Sequence, residues 1–280
     1  MRFLVRKTFY IIIFALSFNL YASSSYSYLP YEKGLNEYIP YELHSHFYHP
    51  WDDWSENKGI FTLPKAGTHL LHKMLNILLK KDIKIHHVSH FPELMTNQHH
   101  NKMVVAIRDP RDQVISLRNM FNKISAKYLE SGEVWPGLEG FPYEFYSTLD
   151  EETKLRLIIL NKFFPEDRLF SLCSEGMKNK GALIIRFEDF IGSKGGGDDA
   201  LQRETIKKIC NYFNHKVTKK EIDYCVENAW GGSKTFHKGQ IGAWKGKIDK
   251  ENLFLIKEKW NKYIIEWGYE TDEDWWVQYL

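Results

Sequence analysis

The chain is predicted to fold as an α/β protein, a three-layer sandwich with a central parallel sheet. Short apolar runs of β type alternate along the 280 residues with longer segments of helical period. This alternation is typical of parallel strands joined by right-handed crossovers. Ligands of such sheets bind beyond the carboxyl ends of the strands, so functional residues are expected directly after them.

The predicted elements follow one another in a regular order. Strands are predicted at 60–63, 83–88, 103–107 and 182–187. A first helix starts near Gly67, because apolar residues at 71, 74, 75 and 78 form one face of a helix. Asp109 as N-cap and Pro110 as first residue open a second helix, and Asp150 caps a third. Further helices are predicted near 200–213, 219–227 and 251–265.

Residues 1–22 are predicted to be a secretory signal peptide. Basic residues precede an apolar run that ends at Ala22, and three serines follow it. The run is shorter than the roughly 20 residues of a spanning helix, so a retained type II membrane anchor is the weaker alternative. Residues 23–58 are predicted to be an irregular segment and 59–280 a single domain. We therefore expect a secreted or exported protein without a stable membrane span once the leader is cleaved.

Composition excludes several classes of protein. The 38 Lys and Arg against 36 Asp and Glu give a net charge of +2, which is too small for nonspecific nucleic-acid binding. Any anion site must be local. Three cysteines are too few for a disulfide scaffold. The histidines at 44–49 lack a regular metal-ligand spacing, and no metal is predicted.

The first chemical motif is the segment TLPKAGTHL at 62–70, between a predicted strand and a helix. Small residues allow a tight turn there, and the backbone amides at the positive end of the helix can hold a phosphate. Lys65 and the Thr68 hydroxyl would add contacts. The lysine precedes the glycine, so the segment is not a Walker A loop. A tight turn that binds nothing is the alternative.

Two later segments carry similar chemistry. The sequence VVAIRDPRDQVIS at 104–116 places Arg108 at the end of a strand and Ser116 two turns into the following helix, so a second phosphate could lie between them. The sequence TFHKGQIGAWK at 235–245 is a loop with glycines and lysines of the kind that folds over a bound anion.

Together with VSHFP at 88–92, these segments resemble, in order, four motifs of the sulfotransferases that use 3′-phosphoadenosine 5′-phosphosulfate (PAPS). The resemblance spans residues 59 to about 260. It implies a P-loop-NTPase-like sulfotransferase fold and transfer of sulfonate from PAPS to a hydroxyl acceptor, a small molecule or a glycan. The product nucleotide would be adenosine 3′,5′-bisphosphate (PAP), no metal is required, and no oligomeric state is implied.

The resemblance also implies roles for individual residues. His90 is expected to be the general base, and Lys65 is expected to stabilise the leaving phosphate. The cofactor-binding residues that it implies are Lys65, Ala66, Gly67, Thr68, His69 and Leu70 in the first motif, Arg108 and Ser116 in the second, Phe187 after the fourth strand, and His237, Lys238 and Gly239 in the last loop.

The chain departs from the family pattern at positions that affect function. Val88 replaces a lysine that grips the sulfonate, His237 replaces an arginine, and Ala243 replaces an aspartate. A catalytically silent PAP-binding or interaction protein is therefore one alternative, and a P-loop nucleotide kinase is a weaker one. The aromatic segment 131–149 is either a lid over the acceptor or plain packing. The stretch 194–199 is predicted to be a flexible loop without chemistry.

Overall fold

A four-stranded parallel sheet organises the part of the chain that the structure describes. The structure is a computed structural model, and it describes residues 58–79, 86–88, 102–135, 138, 140–160, 166–178, 182–231 and 239–279. The strands are β1 (Lys58–Thr62), β2 (His86–Val88), β3 (Lys102–Ile107) and β4 (Ala182–Arg186). Their order is β2-β1-β3-β4, and all three pairings are parallel. The predicted parallel sheet is confirmed.

Helices surround this sheet. They are α1 (Thr68–Leu78), α2 (Pro110–Ser131), α3 (Tyr143–Thr148), α4 (Glu151–Ile159), α5 (Glu166–Lys178), α6 (Phe187–Phe190), α7 (Asp199–Tyr212), α8 (Lys219–Ala229) and α9 (Lys250–Glu266). Short 3-10 turns lie at Ser193–Gly195 and Val277–Tyr279. None of the described helices is both long and apolar enough to cross a membrane.

Two apolar clusters, one on each face of the sheet, make the three predicted layers. Alternate strand residues point to opposite faces, so Val105 belongs to one cluster and Val104 to the other. The first cluster is covered by α2, α4, α5 and α9, and the second by α1, α7 and α8. The aromatic segment after α2 belongs to the first cluster, where Phe141 stacks on Phe121 with ring centroids 4.8 Å apart. This part of the segment packs in the core and is not a lid.

The start of α2 matches the sequence prediction. The Asp109 carboxylate caps the helix by accepting the Arg111 N–H at 2.9 Å, and Pro110 is the first helical residue. Asp150 likewise caps α4 by accepting the Thr153 N–H at 2.7 Å. By contrast, α3 and α5 have no predicted counterpart. The predicted strand at 182–187 ends one residue early, because Phe187 begins α6. The predicted boundaries at 22 and 58 stay predictions.

Candidate nucleotide site

The candidate site lies where β1 and β3 end side by side. These strands are neighbours in the sheet, yet α1 packs on one face and α2 on the other. Where consecutive helices switch from one face of the sheet to the other, a crevice opens at the carboxyl ends of the two strands. This crevice is the usual place for a ligand in an open α/β sheet. The first two sequence motifs both begin at this crevice.

The loop after β1 is a tight turn held by the sheet. The Leu63 N–H donates to the Ala106 carbonyl at 3.0 Å, and the Ala66 N–H donates to the Leu63 carbonyl at 3.1 Å. Lys65 and Gly67 both have left-handed backbones, with φ of 64° and 82°. A lysine in this conformation costs about 1 kcal/mol. Strain of this kind at the mouth of a crevice is typical of ligand sites.

Gly67 is required at its position for two reasons. Its positive φ suits glycine, and a Cβ there would lie 2.6 Å from Cδ2 of Phe187 and 2.9 Å from Cζ of Phe190. The loop backbone therefore sits directly against the aromatic rings of α6. The family resemblance places Phe187 among the nucleotide-binding residues, and in the structure its ring packs directly against this turn.

The N-terminus of α1 provides hydrogen-bond donors. The helix has no side-chain cap, and the first N–H with an intrahelical partner is that of Leu71, which donates to the Gly67 carbonyl at 2.9 Å. Within the described residues, the structure shows no acceptor for the backbone N–H groups of Thr68, His69 and Leu70. These amides lie at the positive end of the helix dipole and form a corner suited to an anion.

The Thr68 side chain is already engaged. Its hydroxyl lies 2.5 Å from the Thr62 hydroxyl, and either oxygen can be the donor. The bond ties the last residue of β1 to the first residue of α1 and fixes the Thr68 hydroxyl at the mouth of the turn.

The Lys65 amine is electrostatically destabilised. Its pKa falls from 10.5 to about 8, mainly through burial and to a lesser extent through the charges of Arg108 and Lys123. An anion bound at this corner would raise the pKa again, because it attracts the charged amine.

Arg108 joins three segments at the end of β3. The side chain is 4% exposed. Its Nη1 donates to the Lys65 carbonyl at 2.9 Å, its Nη2 donates to the Gln240 carbonyl at 3.0 Å, and its guanidinium lies 4.3 Å from the centre of the Phe187 ring. Its Nε is buried without a partner among the described residues. The structure therefore brings the first motif, the second motif and the start of the last loop together around one arginine.

The structure describes some of the remaining predicted residues and not others. Ser116 is half-buried in α2, and Gly239 opens the last loop with φ of 56°. His90, His237 and Lys238 lie outside the described residues. The predictions for these three residues are therefore not tested.

Two carboxylates near the crevice, the half-buried Glu188 and the buried Asp112, escaped the sequence analysis. Glu188 accepts the Asp109 N–H at 3.2 Å and the Tyr269 hydroxyl at 2.9 Å, and burial raises the pKa of Glu188 to about 7. Asp112, in the first turn of α2, is 1% exposed and accepts hydrogen bonds from the last loop. An acidic residue directly after a strand end was the available signal for Glu188. The long-range partners of Asp112 have no local signal.

Gln113 is a third polar residue that the sequence analysis missed. It is 1% exposed, and neither its amide oxygen nor its amide nitrogen has a partner among the described residues. Buried amides almost always have hydrogen-bond partners. Gln113, which lies about one helical turn before Ser116, is an exception among the described residues. No group of three or more His, Cys, Asp or Glu in the described part of the chain is arranged to hold a metal ion.

Comparison with known proteins identifies the fold. No family model matches the chain, and no curated protein matches it. Among solved structures, the chain is similar to mouse sulfotransferase SULT7A1 complexed with PAP, with a TM-score of 0.60 and 15% identity, over 89% of this chain and 96% of that one. At this identity the likeness concerns architecture. The chain has the α/β fold of the sulfotransferases.

Proposed function

We propose that the chain is a PAPS-dependent sulfotransferase that moves a sulfonate group to a hydroxyl acceptor and releases PAP. The observation that carries this proposal is the uncapped N-terminus of α1 beside the buried Arg108, which joins the first loop to the last. A nucleotide with phosphates at both its 5′ and 3′ positions would use this corner and a second corner, which we propose between Arg108 and Ser116. A solved neighbour of the same fold was complexed with PAP, which supports the same ligand class.

The 5′-phosphosulfate would bind at the first corner. The amides of Thr68, His69 and Leu70 would hold the phosphate, and Lys65 would contact the oxygen that bridges phosphorus and sulfur. The 3′-phosphate would bind at the second corner, where Arg108, Ser116, Lys238 and Gly239 are the proposed contacts. Positioning and electrostatics are expected to supply most of the catalysis, as in phosphoryl transfer.

The reaction is a displacement at sulfur. The acceptor oxygen attacks the sulfur in line and forms a new S–O bond, while the bond between sulfur and the bridging oxygen breaks. His90 is the proposed base that takes the acceptor proton. The electron pair of the broken bond stays on the 5′-phosphate of PAP, where Lys65 stabilises the developing charge.

A transfer assay with radiolabelled PAPS and panels of phenols, sterols and glycans tests this function. We expect labelled product with the native chain, and we expect His90→Ala to lower turnover by about 10²–10⁴-fold while PAP affinity stays within about twofold. Near-normal turnover of an alcohol acceptor by His90→Ala would move the base to another residue.

A thermal-shift experiment separates the alternative functions, because a ligand that binds the native state raises the melting temperature. PAP without a metal should stabilise a sulfotransferase or a silent PAP-binding protein, and only the former should transfer label. Stabilisation by ATP with Mg²⁺ but not by PAP would favour the kinase alternative. Val88, His237 and Ala243 are the departures that favour the silent protein.

We also propose secretion or export, with cleavage after Ala22, rather than a retained anchor. N-terminal sequencing of the native protein tests this proposal. A mature N-terminus at Ser23 is the expected result, and an intact Met1 would favour the type II anchor.

A further inference from the structure

The segment 239–244 of the last loop is held by a buried carboxylate of α2. One oxygen of Asp112 accepts the Gly242 N–H at 2.7 Å, and the other accepts the Trp244 N–H at 3.0 Å. Asp112 is 1% exposed, and the Arg108 guanidinium lies 4.0 Å from it. Both carboxylate oxygens therefore serve the backbone of this segment.

A second anchor comes from the turn after α6. The Ile241 N–H donates to the Gly195 carbonyl at 3.0 Å, and Nε2 of Gln240 donates to the Lys194 carbonyl at 3.0 Å. Arg108 holds the Gln240 carbonyl from the opposite side. Three neighbouring residues of the segment thus bond to three different parts of the fold.

Gly195 shows how closely the two backbones approach. Gly195 is buried, and a Cβ on it would lie 2.6 Å from the Gly239 carbonyl oxygen and 2.1 Å from Cγ1 of Ile191. The sequence predicted a flexible loop without chemistry at 194–199. In the structure, the start of this stretch is the 3-10 turn Ser193–Gly195, and its carbonyls at Lys194 and Gly195 accept hydrogen bonds from the last loop; the absence of chemistry stays a prediction.

The far end of the segment is fixed by its side chain. The Arg111 guanidinium contacts two indole rings, 4.3 Å from the centre of Trp244 and 4.5 Å from that of Trp275. Arg111 is 3% exposed and also forms ion pairs with Asp109 and Glu270. The Trp244 side chain is therefore held by Arg111, in addition to the bond that its N–H donates to Asp112.

We propose that Asp112 is a positioning residue: it holds the segment 239–244 ready to grip a 3′-phosphate, and so makes the site selective for 3′-phosphorylated nucleotides. The inference rests on the proposed function. Asp112 acts through the loop, since both of its oxygens are occupied by loop amides. When a loop is already ordered, a ligand that contacts it loses less binding free energy to ordering the loop. A ligand that does not contact the loop gains no affinity in this way.

Calorimetric titration of Asp112→Asn with PAP and with AMP tests the inference. AMP has the same 5′ end and lacks the 3′-phosphate. Asparagine keeps one acceptor oxygen and turns an NH₂ group toward a loop N–H, so one loop amide loses its partner. We expect PAP to bind at least about tenfold more weakly and AMP to stay within about twofold.

Asp150→Asn is the matched control, because Asp150 also accepts a backbone N–H but lies at the start of α4. It should leave both affinities unchanged. Hydrogen exchange provides a direct readout: the 239–244 amides should exchange faster in Asp112→Asn than in the native protein, and at the native rate in Asp150→Asn.

The outcomes separate the two levels of the proposal. Equal binding of PAP and AMP by the native protein would overturn the proposed function itself. A native preference for PAP that Asp112→Asn retains in full would overturn only the role of Asp112. If Asp112→Asn does not fold, Gln240→Ala replaces it, since that change removes the side-chain bond to the Lys194 carbonyl. A loss of about threefold in PAP affinity alone is then expected, and unchanged PAP affinity would overturn the inference.

Discussion

Replacing Lys65 by methionine should make the unliganded protein more stable while it damages the candidate site. Methionine keeps the length and most of the volume of the lysine side chain and removes its charge. The left-handed backbone at position 65 affects both residues equally. The change therefore isolates the cost of holding an ammonium group in the crevice beside Arg108.

The magnitude follows from the pKa of Lys65. A fall from 10.5 to about 8 on folding corresponds to about 3 kcal/mol of destabilisation while the amine is charged. Because the folded pKa lies below the unfolded value, this cost is complete below about pH 8 and disappears as the pH rises toward 10.5. At about pH 9.5 roughly half of it should remain.

Thermal and denaturant unfolding measure the effect. We expect Lys65→Met to raise the melting temperature by about 6–12 °C near neutral pH, and by about half as much near pH 9.5. The control is Lys220→Met on the exposed surface of α8, which should change stability by less than about 0.5 kcal/mol. Turnover in the transfer assay should fall by more than about 10²-fold, with a smaller loss of PAP affinity.

A Lys65→Met protein that is no more stable than the native protein near neutral pH would refute the electrostatic argument. So would a gain in stability that does not shrink at alkaline pH, because the gain would then come from apolar packing.

Three further substitutions test other parts of the structure. Glu188→Gln should flatten the pH dependence of stability. Because the folded pKa of Glu188 is raised, the native state is stabilised at low pH, and about 3 kcal/mol of this stabilisation is lost as the pH rises from about 4.5 past 7. Urea unfolding at a series of pH values measures this loss. Gly67→Ala should destabilise the protein by about 2 kcal/mol more than Gly132→Ala, since both have positive φ but only Gly67 faces Phe187; equal melting temperatures would contradict this contact. Gln113→Leu should raise the free energy of unfolding by about 1–3 kcal/mol because it removes an amide without partners among the described residues, and a loss of stability would show that this amide is bonded.

The elements with strong local signals were predictable from the sequence. The caps at Asp109 and Asp150 and the short apolar run of β3 are local properties of side chain and backbone, and each is confirmed. Helix α5 was missed, although Leu169, Phe170 and Cys173 lie buried on one of its faces. Charged residues at 166–168 before these positions, and Glu175 and Gly176 after them, weaken the periodic pattern.

The arrangement around Arg108 was predictable only in part. A strand end followed by Arg and a capped helix indicated an anion site, and the structure brings that arginine to the Lys65 loop. The bonds from Asp112 to Gly242 and Trp244 join residues 130 and 132 positions apart. Contacts over such separations depend on the packing of whole elements, which no local pattern specifies.

Equilibrium dialysis with radiolabelled PAPS tests the proposed donor site most directly, because it measures binding of the donor itself without an acceptor. We predict about one equivalent of label per chain, displaced by PAP but at least about tenfold less well by AMP, and lost in Arg108→Met. Absence of saturable binding by the native protein, or equal binding by Arg108→Met, would contradict the assignment of this crevice as a PAPS site.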